Sequence, residues 1–180
     1  MKKTISIIIS IAMCAMLASC GGVKNEVSDT EQPTLIDTMS LEEKVGQILF
    51  VRCVDDEQTD DLMSIKPGGI LMFGRDFEGL TKDEVKEKIQ SYQDKSDIPL
   101  IIGADEEGGT VVRVSSNPNL APEKFKSPQE IYNEGGMDAV VENATEKSEL
   151  LLSLGVNMNL APVADVSTNP SDYMYDRSLG

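Results

Sequence analysis

The sequence predicts an α/β fold in which parallel strands are joined by helices. Three observations carry that prediction. Short apolar runs that lack polar alternation recur along the chain, as expected of strands covered on both faces. Stretches with helical spacing separate them, giving the order strand, helix, strand, helix, strand, helix, strand. Each apolar run also leaves through glycine, acid or arginine, residues suited to a strand exit. Two architectures satisfy this pattern, an open doubly wound sheet and a (β/α)8 barrel.

The elements follow in order from about Leu35. Ser40-Leu41-Glu42-Glu43 is a capping box, in which the serine caps the first turn and Glu43 reaches back. Leu41, Val45 and Ile48 continue at helical spacing, and Leu49–Val54 is a candidate strand. Thr59–Ile65 predicts a short helix stopped by Pro67-Gly68-Gly69. Ile70-Leu71-Met72-Phe73 is a buried-strand run that exits through Gly74-Arg75-Asp76. Thr81-Lys82-Asp83-Glu84 is a second capping box, and Val85, Ile89 and Tyr92 predict about three helical turns after it. Asp97-Ile98-Pro99 ends that helix. Leu100–Ala104 is the next strand, delivering Asp105-Glu106-Glu107-Gly108-Gly109. After a loop with Pro118, Pro122 and Pro128, the residues Met137, Val140, Val141, Ala144, Leu151 and Leu152 predict one face of a long helix ended by Gly155. Val156–Val163 predicts a strand leaving through Ala164-Asp165, and residues 166–180 read as loop.

Composition narrows the function. The chain has 180 residues, 40% of them hydrophobic, enough for a packed core and unlike a disordered tail or a multi-span membrane protein. Its net charge is −15, which repels a phosphate backbone and argues against nucleic-acid binding. It has no histidine, so histidine-based metal sites and triads are excluded within these residues.

The N-terminus reads as an address. Lys2 and Lys3 precede the apolar run Ile5–Leu17, too short for an ordinary spanning helix of about 20 residues but of signal-peptide length. Leu17-Ala18-Ser19-Cys20 follows, then Gly21-Gly22. This resembles a bacterial lipoprotein signal, which implies cleavage after residue 19 and lipidation of Cys20. A plain signal peptide or an uncleaved anchor are the simpler readings. Loss of residues 1–19 would deepen the net charge to −17. Residues 20–34 are polar and aperiodic, as in a flexible tether, and the folded domain is expected over 35–180. Cys53, beside Ile48-Leu49-Phe50-Val51, is expected to be a small core hydrophobe, and no disulfide framework is available. The protein is then expected outside the cytoplasm, held to the bacterial cell membrane by its lipid.

In both candidate folds function sits at the C-terminal ends of the strands. Those ends are Phe73-Gly74-Arg75-Asp76, Asp105–Arg113, Asn157–Val166 and Asp176–Gly180, rich in acids, arginines and glycines. Carboxylates accept from hydroxyls and guanidinium groups donate in a fixed fork, so this chemistry suits a neutral polyhydroxylated ligand. Gly108-Gly109 matches no phosphate-binding pattern.

Four blocks carry a more specific resemblance. Gly-Gly-Ile-Leu-Met-Phe-Gly-Arg (68–75), Asp-Glu-Glu-Gly-Gly-Thr-Val-Val-Arg (105–113), Asn-Leu-Ala-Pro-Val-Ala-Asp-Val (159–166) and Asp-Arg-Ser-Leu-Gly (176–180) are similar to blocks of the family 3 glycoside hydrolases, in the β-N-acetylglucosaminidase (β-N-acetylhexosaminidase) branch. Met39–Gln47 also matches the start of that catalytic domain. The resemblance implies a (β/α)8 barrel, of which this chain would be the N-terminal half, because a complete barrel takes about 250 residues. It implies that Asp105 binds sugar hydroxyls, that Arg113 fixes that acid and the sugar, and that Arg177 is a further sugar contact. Leu179 stands where phenylalanine is usual, Thr110 where arginine is frequent, and Glu106 where glutamine or histidine is frequent. No catalytic residue is assigned here, since the family's Lys-His block, acid/base loop and nucleophilic aspartate are expected beyond Gly180. No cofactor or metal is implied.

The expected activity of the full-length protein is hydrolysis of terminal β-linked N-acetylhexosamine with retention, on a glycan containing N-acetylglucosamine. A lipid-anchored solute- or carbohydrate-binding protein without catalysis is the alternative, and a pseudo-enzyme retained for peptidoglycan binding a third. Asp165 is expected to bond local backbone or an arginine, Arg75 to be a structural strand-end residue, and Asp55-Asp56 and Asp60-Asp61 to be a solvated face. As salt-bridge partners for Arg113 the simpler candidates are Glu106 and Glu107. The 180 residues alone are expected to be inactive and poorly folded.

Overall fold

A computed structural model describes residues 33–52 and 58–179. The chain divides into two units, 1–38 and 39–180. In the first, the described part is a single helical turn, α1 (Leu35–Thr38), whose entry is closed by Asp37 accepting from the backbone N–H and hydroxyl of Thr34.

The second unit runs α2 (Leu41–Gln47), β1 (Phe50–Val51), α3 (Thr59–Ser64), β2 (Gly69–Met72), α4 (Gly74–Phe77), α5 (Lys82–Gln93), β3 (Ile101–Ala104), α6 (Pro128–Leu154) and β4 (Met158–Asn159). The two capping boxes start α2 and α5 as their sequences dictate. Ser40 Oγ accepts from the N–H of Glu43, whose carboxylate accepts from the Ser40 N–H, and Thr81 and Glu84 repeat the arrangement. Ser127 and Glu130 form a third box, with Pro128 in the first turn of α6.

The four strands form one parallel sheet in the order β1-β2-β3-β4, with Gly69 opposite Phe50, Ile101 opposite Gly69, and Met158 opposite Gly103. Spatial order equals chain order. A doubly wound sheet reverses direction beside its first strand, so the order seen here is that of a sheet wound one way, as in barrels.

Strand alternation gives the two faces different fates. Ile70, Met72, Ile102 and Ala104 face the helices and are buried with Phe77, Val85, Ile89, Tyr92, Leu151, Leu154 and Val156 in one core. Burying each large side chain of this set contributes on the order of 1.5–3 kcal/mol. The other face carries Gly69, Ile101, Gly103 and Met158, with Phe50 and Leu160 beside them, and Ile101, Met158 and Leu160 remain about 40% exposed. A Cβ at Gly103 or Gly69 would strike the Phe50 ring, so the two glycines form the floor on which that ring lies. Gly103→Ala is therefore expected to destabilise the protein by about 1–3 kcal/mol through overpacking. In a Phe50→Ala background the same change should cost little, and urea unfolding of the four variants measures the coupling.

Several expectations require correction. Val156–Val163 is a strand only over Met158–Asn159. Of the predicted Leu49–Val54 strand, Phe50–Val51 is observed, while Cys53, Asp55 and Asp56 lie outside the described residues. Phe73 does not continue β2 but caps α4, where the Asp76 carboxylate accepts from its N–H at 2.7 Å. The predicted inner face of the long helix is right at Leu151, which is buried, and wrong at other positions. Met137, Val141 and Leu152 are exposed, and the buried positions are Lys147, Leu151 and Leu154. Non-helical angles at Gly135 and Gly136 break α6 before that stretch. Among the described residues no helix is long and apolar enough to cross a membrane.

Candidate functional site

The C-terminal ends of β1 to β4 bring together residues from distant parts of the chain. Arg52 follows β1, Phe73 follows β2, the acidic turn 105–109 follows β3, and Asn159 ends β4. Asn159 ties two of these ends. Its side-chain oxygen accepts from the Glu106 N–H at 2.9 Å, and its amide donates to the Glu106 carbonyl at 3.1 Å.

The three consecutive acids have different environments. Asp105 lies at the exit of β3 and accepts from Arg113, with 3.1 Å to Nη2 and 3.4 Å to Nε. Both side chains are about one quarter exposed, 22% for Asp105 and 27% for Arg113, so the pair lines an accessible surface. The guanidinium also stands 5.5 Å from the Phe73 ring centroid, and that of Arg52 stands 4.2 Å from it. Such contacts are worth about 0.5–1 kcal/mol at exposed sites and set the direction of the arginines.

Glu106 is fully buried. It accepts from the backbone N–H groups of Arg113 (2.8 Å), Val114 (2.7 Å) and Ser115 (3.2 Å), and from the Ser115 hydroxyl. It thus folds the loop 106–115 back on itself and fixes the backbone from which Arg113 projects. The simpler sequence reading, in which Arg113 pairs with Glu106 or Glu107, is corrected on this point: its side chain pairs with Asp105, and only its backbone reaches Glu106.

Glu107 is nearly buried and grips Arg177 with both oxygens, at 2.6 Å to Nη2 and 2.9 Å to Nε. This fork-to-fork pair is the strongest geometry available to an arginine and a carboxylate. It pushes the Arg177 pKa above its usual value, and the Tyr173 ring 5.1 Å away adds to the guanidinium's surroundings. Arg177 is therefore joined to the acidic turn through Glu107 rather than through Asp105. The Glu107 carbonyl accepts from Lys147 at 2.7 Å. Burial pushes the Lys147 pKa down, and the charges of Glu106 and Glu107 act against that shift.

Gly108 and Gly109 have positive φ values of 105° and 64°, which favours glycine, and a Cβ on Gly108 would strike the Lys126 carbonyl. Arg75 is exposed on α4, and Asp165 is exposed after β4. Among the described residues no group of three or more His, Cys, Asp or Glu is placed to hold a metal ion. The sequence assigns no role to Lys147 or Asn159, offers Glu107 only as a partner for Arg113 rather than Arg177, and places Phe73 in a strand rather than beside the two arginines. Asn159 stood in a quoted block and could have been read as a strand-end clamp, but Lys147 gave no local sign.

Residues 40–180 match the family described as "Glycosyl hydrolase family 3 N terminal domain". The chain belongs to that family. Among curated relatives of this family 3 chain, Beta-hexosaminidase A of Pseudoalteromonas piscicida is 31% identical over 108 residues, covering 58% of the chain and 18% of the relative. Beta-hexosaminidase LpqI of Mycobacterium tuberculosis is 27% identical over 143 residues, covering 79% and 36%. The chain thus spans well under half the length of either relative. Among solved structures, a glycoside hydrolase family 3 beta-N-acetylglucosaminidase from Paenibacillus sp. str. FPU-7 superposes with a TM-score of 0.70 at 26% identity, over 79% of the chain and 28% of its own. A family 3 glycosyl hydrolase from Mycobacterium smegmatis gives 0.66 at 24% identity, over 79% and 42%, a likeness of fold.

Proposed function

We propose that the full-length protein hydrolyses terminal β-linked N-acetylhexosamine from peptidoglycan-type or other glycoconjugates, with retention of configuration. The observation that carries this reading is the accessible Asp105–Arg113 pair at the exit of β3, on a chain whose relatives are named beta-hexosaminidases. Asp105 accepts from sugar hydroxyls, with its orientation held by Arg113, and Arg177, held by Glu107, is a further sugar contact. Each charged hydrogen bond of this kind contributes about 1.5–3 kcal/mol. A retaining mechanism needs a nucleophilic carboxylate and an acid/base group. The share of the relatives' length that this chain spans leaves room for both on further chain.

In the same reading the sheet is the first half of a (β/α)8 barrel, and the face bearing Phe50, Ile101, Met158 and Leu160 is the barrel interior. Residues 1–180 alone should then show no turnover of a chromogenic aryl N-acetyl-β-glucosaminide and no cooperative thermal transition. Full-length protein should show both. Turnover by the fragment overturns the division of labour, and a full-length protein that binds N-acetylglucosamine without cleaving it makes the chain a binding protein.

The proposal also includes export, with residues 1–19 as signal, 20–34 as tether, 35–180 as the N-terminal part of the catalytic domain, and Cys20 as the lipidated residue. Its support is the sequence Leu17-Ala18-Ser19-Cys20, which lies outside the described residues. Cys20→Ala is expected to move the protein from the detergent phase to the aqueous phase on phase separation of producing cells. A protein that stays in the aqueous phase with Cys20 intact removes the anchor.

A further inference from the structure

Helix α6 carries one ammonium group into the interior. Lys147 is 8% exposed and lies on the same helical stripe as the buried Leu151 and Leu154. Such a stripe is ordinarily apolar, and a buried charge is costly unless it is compensated. Lys147 donates to the Glu107 carbonyl, and its Nζ is 5.5 Å from the Phe125 ring centroid. Among the described residues no carboxylate stands within ion-pair distance of it, yet the charges of Glu106 and Glu107 favour its protonated form.

The charges of the turn show what this group supplies. Asp105 has Arg113 and Glu107 has Arg177, whereas Glu106 is held by backbone amides and one hydroxyl without a cation in contact. Lys147 is the third positive charge beside three negative ones. Glu107 is held at three points, with its N–H on the Val111 carbonyl, its carboxylate on Arg177 and its carbonyl on Lys147. The chain also has glycine next to the ammonium, since a Cβ on Gly108 would lie 3.1 Å from Nζ.

We infer that Lys147 is a positioning residue for the sugar site: from α6 it pins the acidic turn through the Glu107 carbonyl and balances the buried Glu106, so that Asp105 and Arg177 keep their relative placement. The inference rests on the sugar-binding reading of Asp105. Without Lys147, Glu107 can shift with the turn, and Arg177 shifts with it.

The test uses full-length protein carrying K147M, K147R, R177M or K147M with R177M. Lys147→Gln takes the place of K147M if that variant does not fold. Two readings are taken, amide hydrogen exchange and the separate KM and kcat on an aryl N-acetyl-β-glucosaminide. In K147M, exchange at Glu107, Gly108 and Gly109 should rise about tenfold while β2 and β3 keep their protection. KM should rise about tenfold with a smaller change in kcat, K147R should recover most of both losses, and adding K147M to R177M should cost little more than R177M alone.

Unchanged exchange in the turn, an equal rise throughout the protein, full additivity with R177M, or failure of K147R to recover the loss each overturns the inference. If the exchange pattern holds but the wild-type protein neither binds nor cleaves the glucosaminide, the clamp stands and the sugar reading falls.

Discussion

Glu106→Ala is expected to lower the unfolding free energy of the full-length protein by about 3–5 kcal/mol, since it strips the acceptor from three buried amides and a hydroxyl at about 1–3 kcal/mol for each donor left unpaired. A value near or just below the low end of the sum over four donors is expected because the Ser115 hydroxyl can rotate to another acceptor and water can enter the space left by the side chain. Urea unfolding should show a lower midpoint with an unchanged slope, the sign of lost stability without a change in the exposed surface. The same variant should lose activity, because the backbone of Arg113 is one of the groups released. A loss below about 1 kcal/mol would mean that the loop 106–115 is held by something other than this carboxylate.

Asp105→Asn is expected to lower kcat/KM about a hundred- to a thousandfold with a thermal midpoint close to that of the wild type. The activity loss follows from replacing two charge-assisted interactions, one with Arg113 and one with a sugar hydroxyl, at about 1.5–3 kcal/mol each. Stability changes little because the pair is part-exposed, and ion pairs in such positions contribute about 0.2–1 kcal/mol. The two variants therefore separate neighbouring acids, with Glu106 carrying the turn and Asp105 the ligand. Retention of more than about a tenth of kcat/KM by the Asp105 variant would remove that residue from the site.

What the sequence made legible follows from how local each interaction is. Ser40 with Glu43 and Thr81 with Glu84 are three residues apart, and both boxes start helices where the text of the chain places them. Asp105 and Arg113 are eight residues apart on one loop, close enough for the acid and the arginine of one block to be considered together. Glu107 and Arg177 are 70 residues apart, and no pattern in either segment announces the pair. Glu106 stands in the sequence as a candidate partner for the Arg113 side chain, but its anchoring of the loop is not legible there, since its partners are mainly backbone amides, which every residue except proline carries. Lys147 misled the reading of α6. A lysine scores as a solvent-facing residue, so the predicted face contains Leu151 but extends to Met137 and Leu152, which are exposed, instead of Lys147 and Leu154, which are buried. The short helix α4 had a sign that went unused, an aspartate three residues after Phe73.

The bare floor made by Gly69 and Gly103 beneath Phe50 has a consequence for how this chain can drift. Positions 50, 69 and 103 are three strands' contributions to one volume, so they cannot vary independently. A lineage that gains a methyl at 103 must first, or soon after, trade the ring at 50 for something smaller, and one that keeps the ring is confined to glycine below it. Neutral substitution at 50 and 103 should therefore arrive in pairs, leaving a correlated trace across relatives, whereas 69 stays glycine because a Cβ there also meets the Ile101 carbonyl.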